Sequence, residues 1–244
     1  MKRVVRLALL LLLGSNVARA ASLPENERLD PVRPALEKIV DDAARDGLPA
    51  DLIVGKVREG LAKGASPEAI RAAAARLART LGDADQFLRA HRKRSSSAAL
   101  VRALAEARTS GVDLAATSTL VESGAQDAAV VRAVEVLTDL ALRGYPTGRA
   151  ALVVNQVLER DPGAVGRVVA GLEAVRVGQT VSRADALEAI GRNLQSGGGS
   201  FEAALNRSLE GGDDHGAGNG NGHGQGQGQG SAAAKNGKAL GKNK

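Results

Sequence analysis

Five times along the chain, apolar residues spaced three and four apart end on a glycine that an apolar residue follows at once. The pairs are Gly47-Leu48, Gly64-Ala65, Gly111-Val112, Gly124-Ala125 and Gly144-Tyr145. Glycine adopts the left-handed conformation just past a helix without a Cβ clash, and the apolar neighbour packs back on the last turn. The intervals from Gly47 to Gly64, from Gly111 to Gly124 and from Gly124 to Gly144 each hold one short helix. A chain punctuated in this way folds as short helices joined by tight corners. Such helices are too short to be stable alone and must hold one another by packing.

The apolar spacing between corners agrees. Leu36, Ile39, Val40 and Ala43 form a first stripe, and Leu52, Val57 and Leu61 a second. Ser66-Pro67-Glu68 opens a third helix with a capping serine, a first-turn proline and an acid that suits the helix dipole. That helix carries Ile70, Ala73, Ala74, Leu77 and Leu81 toward an expected end near Gly82. Later stripes are Val130, Val134, Leu137, Ala141; Ala150, Val153, Val154, Val157; Val165, Val168, Val169, Leu172, Val175; and Ala184, Leu187, Gly191, Leu194. No window alternates with the period of a strand. The expected fold is all-α: about nine or ten short antiparallel helices packed as an irregular helical-repeat, α-solenoid-like array.

The first 20 residues read as an export signal. Lys2, Arg3 and Arg6 precede the apolar run Leu7 to Leu13, and Ala18-Arg19-Ala20 offers small residues for cleavage between Ala20 and Ala21. The run is far short of the roughly 20 apolar residues a membrane-spanning helix needs. No cysteine follows it, which argues against a lipid anchor, and no later segment reads as a transmembrane anchor. The expected location is periplasmic or secreted. Residues 22–34 hold three prolines and read as an extended lead-in. Helical units are expected at 35–90 and 98–210, with a basic linker at 91–97 between them. From 211 to 244 the chain is rich in Gly, Asn, Gln and Lys, lacks an apolar face and is expected to be disordered.

The formal charge of +6 comes from the two ends. Residues 21–210 carry 25 basic and 25 acidic side chains. A neutral body lacks the charge excess that binds nucleic acid through phosphates. Its three rings, Phe87, Tyr145 and Phe201, are too few for a base-stacking platform or a sugar cleft. With no cysteine there is neither disulfide nor thiol chemistry.

Catalytic signals are weak. His91 is the one histidine of the body and lies beside Arg92, Lys93 and Arg94, which favour a solvated, neutral imidazole. Asp41 and Asp42 are adjacent, so on a helix they point about 100° apart and read as a solvated face. Carboxylates distant in sequence can still meet in a groove. In the tail, Asp213, Asp214, His215 and His223 have glycine flanks and no preorganisation for a metal. No cofactor, metal site or catalytic constellation is expected. Arg92, Lys93 and Arg94, with Lys235, Lys238, Lys242 and Lys244, are candidates for weak polyanion contacts that salt would screen.

The stretch 46–78, through Gly47-Leu48-Pro49 and Glu59-Gly60-Leu61-Ala62-Lys63-Gly64, resembles exported bacterial α-helical proteins of uncharacterised activity with Gly-rich ends. The resemblance implies an all-helical exported protein and no particular activity. The expected role is therefore an interaction or scaffold module in the bacterial envelope, with a protein or envelope polymer as partner. The alternatives are a carboxylate-based envelope enzyme, such as a glycan-cleaving one, and a tail that binds metal or anionic polymer.

Overall fold

The computed structural model describes residues 22–92, 97–197 and 199–210. Among them are ten α-helices, three 3-10 turns and no strand. The helices are α1 (Arg33–Arg45), α2 (Ala50–Ala62), α3 (Pro67–His91), α4 (Ala98–Thr109), α5 (Ser118–Glu122), α6 (Asp127–Leu142), α7 (Thr147–Arg160), α8 (Val168–Gly178), α9 (Arg183–Gly197) and α10 (Phe201–Glu210). The all-α expectation holds. The signal at 1–20, the Ala20-Ala21 cleavage site and the tail at 211–244 lie outside the described residues.

All five corner glycines are left-handed, with φ of 75° at Gly47, 69° at Gly64, 90° at Gly111, 74° at Gly124 and 79° at Gly144. Four of them close with the same pair of backbone bonds. At the first, Gly47 N–H donates to Ala44 O at 3.1 Å and Leu48 N–H to Ala43 O at 2.9 Å. Gly64-Ala65, Gly111-Val112 and Gly144-Tyr145 repeat it. The two bonds satisfy carbonyls that a helix end leaves open. Gly124 differs: Ser123 Oγ donates to Leu120 O at 2.8 Å and accepts from Ala125 N–H at 3.4 Å.

A sixth corner has no glycine. Thr180 has φ of 55°, and Val181 N–H donates to Arg176 O at 3.1 Å. A β-branched residue is strained there by about 1–2 kcal/mol. Thr180→Gly is therefore expected to stabilise the fold by about 1 kcal/mol and raise the melting temperature by about 2–4 °C. A lower melting temperature would mean that Thr180 supplies a contact worth more than the strain.

Three sequence expectations are corrected. First, α3 runs through Gly82 to His91. Asp83 follows Gly82, so no apolar residue is there to fold back, and Leu81, Ala84 and Leu88 continue the buried stripe. Second, the lead-in is not extended throughout. The Asn26 side chain caps a 3-10 turn at Glu27–Leu29, and Leu29 is fully buried. Third, α2 buries Ile53, Val54 and Val57, while Leu52 and Leu61 are only half-buried at the edge of the core.

The units expected at 35–90 and 98–210 are one packed body. α3 lies against α4, α4 against α6, α6 against α7, α7 against α9, and α9 against α8 and α10. One core of Leu, Val, Ile and Ala runs through it, and Tyr145 and Phe201 are its only fully buried rings among the described residues. Small residues allow close approach. A Cβ on Gly171 of α8 would sit 2.7 Å from Cζ of Phe201 on α10, so the ring occupies the space that the glycine leaves.

Candidate functional site

Four helices leave a groove beside the core. α2 turns Ile53, Val54 and Val57 inward and leaves Lys56 at the rim. α3 contributes Ala73, Arg76, Leu77 and Thr80, and α4 contributes Ala105, Glu106, Arg108, Thr109 and the following Ser110. Thr138 of α6 completes the lining, and the groove has a volume of about 760 Å³. Thr80, Thr109 and Thr138 donate their hydroxyl protons to Arg76 O (3.1 Å), Ala105 O (2.8 Å) and Val134 O (2.8 Å) on their own helices. Those hydroxyls can only accept from a ligand.

Three cations from three helices meet here. Lys56 bonds Glu59 at 2.9 Å, and Arg108 pairs with Asp83 at 3.1 Å. The hydrogen bond from Lys63 and then that from Lys56 pull the Glu59 carboxyl down to about 2. A second recess of about 310 Å³ lies along the same helix, with Asp51, Arg102, Glu106, Val131 and Glu135 in its wall. Sequence reading missed Lys56, Arg76 and Arg108. They stand about 20 or more residues apart, and their nearest signal is the small residues Ala73 and Ala105 on the facing helices.

Arg92 moves from candidate contact to structural anchor. Its side chain is 3% exposed, and it bonds Asp127 Oδ1 at 2.8 Å and Ala125 O at 3.2 Å. Ser97 N–H donates to the other Asp127 oxygen at 3.2 Å. One carboxylate thus ties Arg92 to Ser97. Burial raises the Asp127 pKa, but bonds from Ser97 and Arg92 outweigh it and leave it below the ordinary value. Arg92 is therefore not open to a polyanion. His91 is likewise not free in solvent: its Nδ1 lies 2.6 Å from Glu122 Oε1, and its ring stacks on Phe87 at 4.3 Å. Lys93, Arg94, Lys235, Lys238, Lys242 and Lys244, and Asp213, Asp214, His215 and His223, lie outside the described residues.

Four described carboxylates, Asp42, Glu59, Asp127 and Glu173, are held below their ordinary values by neighbouring donors. Asp42 is lowered first by its hydrogen bond from Lys38 and then by that from Arg45, while Asp41 points to solvent. Glu173 is lowered first by Arg176 and then by Tyr145. With Glu59 and Asp127, every described carboxylate with a resolved shift moves down, whereas a general acid requires the opposite. Asp46 and Asp85 do share a recess of about 510 Å³, in which Asp85 pairs with Arg89 at 2.7 Å. No group of three or more His, Asp or Glu among the described residues is placed to hold a metal. No described helix is long and apolar enough to cross a membrane.

Tyr145 packs behind the α6–α7 corner. Its hydroxyl donates to Glu173 Oε1 at 2.8 Å, and the Arg183 guanidinium lies 5.8 Å from its ring centre. Burial and then the bond to Glu173 push the hydroxyl up to about 12. The fold favours the neutral phenol, so this contribution is complete below the unfolded pKa of about 10 and is lost as pH rises from there to about 12. The chain has one tyrosine and no tryptophan, so tyrosinate absorbance reads this residue alone. The native midpoint is expected near 12 and the unfolded one near 10. A native midpoint near the unfolded value would mean the hydroxyl is neither buried nor bonded to Glu173.

Comparison with protein-family models, curated proteins and solved structures gives no match.

Proposed function

We propose that this chain is an exported bacterial protein acting as a non-catalytic interaction module in the cell envelope, and that the groove along α4 is its docking face. The observation that carries the reading is the meeting of Lys56, Arg76 and Arg108 around the apolar floor of Ala73, Leu77 and Ala105. Lys56 and Arg108 are matched by Glu59 and Asp83, while Arg76 and Glu106 face the same concave, partly apolar surface, and charged groups set around an apolar concavity suit recognition. Export rests on Lys2, Arg3 and Arg6, the leucine-rich run and the Ala18-Arg19-Ala20 boundary. The repeat-like succession of short helices fits a scaffold that presents a concave surface.

The test is a crosslinking pull-down from the native envelope with three forms: wild type, a chain ending at 210, and Arg76→Glu. Recovery of the same partner by the wild-type and truncated forms, and its loss with Arg76→Glu, is the expected pattern. Loss on truncation with full recovery by Arg76→Glu would assign binding to the tail and reject the groove. Intact mass of the envelope form is expected to begin at Ala21, and a retained 1–20 segment would reject export by this signal.

A further inference from the structure

We infer that the groove along α4 receives a short peptide segment of divided charge, acidic where it passes Arg76 and basic where it passes Glu106. The inference rests on the reading of this groove as the docking face and adds the chemistry of its occupant.

The larger recess and the smaller one meet at Glu106, which lines both. Together they follow α4 from Ala98 to Ser110, about 18 Å at 1.5 Å per residue. That length seats about five or six residues of extended chain. Most charges along it are already matched. Lys56 is held by Glu59, Arg108 by Asp83, Arg102 by Asp51 at 2.8 Å, and Glu135 by Arg132 at 3.4 Å. Among the described residues, the Arg76 and Glu106 side chains have no ion-pair or hydrogen-bond partner, and they do not pair with each other. One unmatched cation and one unmatched anion therefore face the same groove from adjacent helices.

Each feature points to a peptide in preference to an envelope polymer. A uniform polyanion would meet Arg76 but be repelled by the unmatched Glu106. A neutral glycan would want aromatic faces, and Phe87, Tyr145 and Phe201 are all absent from both linings. The floor instead offers Ala73, Leu77, Ala103 and Val131, which suit small and aliphatic side chains.

The test is fluorescence anisotropy with the full chain and labelled hexapeptides. The probe of divided charge is Glu-Glu-Leu-Ala-Lys-Lys. Its comparisons replace both Lys by Glu, or all four charged residues by Gln, and inorganic polyphosphate is the polymer arm. The divided probe is expected to bind about tenfold or more tighter than each comparison. Arg76→Glu and Glu106→Lys are each expected to weaken it by about tenfold, with thermal melts unchanged because both side chains are exposed. Equal binding of the Gln probe, indifference to both substitutions, or tighter binding of polyphosphate would each overturn the inference. If the divided probe fails while a photoreactive residue at Thr80 still captures an envelope partner, the occupant's chemistry is wrong and the docking face stands. If Thr80 captures nothing as well, both fall.

Discussion

Phe201→Ala is expected to lower the stability of the helical body by about 3–5 kcal/mol, measured by urea denaturation. Phe201 is 1% exposed and, with Tyr145, is one of the two rings buried in the core among the described residues. It enters from the first turn of α10 and fills the space over Gly171, so its removal opens a cavity where α8, α9 and α10 meet. The core around it is aliphatic and cannot supply a ring-sized replacement by rotamer change. The pairing with Gly171 adds a signature. Gly171→Ala places a methyl 2.7 Å from the ring and is destabilising alone, but in a Phe201→Leu background its cost is expected to shrink. A loss under about 1 kcal/mol for Phe201→Ala would mean that α10 does not pack as described.

Arg92→Met is expected to cost about 2–3 kcal/mol, less than a fully buried pair would because Asp127 is 28% exposed. The methionine keeps much of the apolar stem and removes the guanidinium, so the loss reports the ion pair and the bond to Ala125 O. Adding Asp127→Asn is expected to be far less than additive, since the two groups act as one unit. The sign with pH follows from the lowered Asp127 pKa. The contribution is complete above the ordinary carboxylate value and is lost as pH falls through the lower, folded one. The gap between wild type and Arg92→Met is therefore expected to close in acid. A gap that is constant with pH would show that the contact is packing alone.

What the sequence reveals is what is local. The five glycine–apolar pairs that follow the end of an apolar stripe all fold as left-handed corners, whereas Gly60-Leu61 and Gly171-Leu172, where the stripe continues, lie inside α2 and α8. Gly82 has the glycine without the apolar neighbour, and α3 runs through it. Thr180 forms a corner without a glycine, and nothing in Gln179-Thr180-Val181 announces it. Long-range partners are hidden. Arg92 sits in a basic run that reads as solvated, and only folding brings in Asp127 from 35 residues away. The groove is hidden for the same reason. Arg76 and Glu106 look like ordinary surface charges on separate amphipathic helices until α3 and α4 lie side by side.

The docking face is tested most directly by photocrosslinking in cells. A photoreactive amino acid is placed at Thr80, which lines the groove, or at Arg149, which is exposed on α7 and absent from either groove lining. Irradiation of envelopes is expected to give one discrete crosslinked species from Thr80, competed away by excess unlabelled protein, and none from Arg149. Equal crosslinking from both positions, or a discrete species from Arg149 alone, would contradict the account.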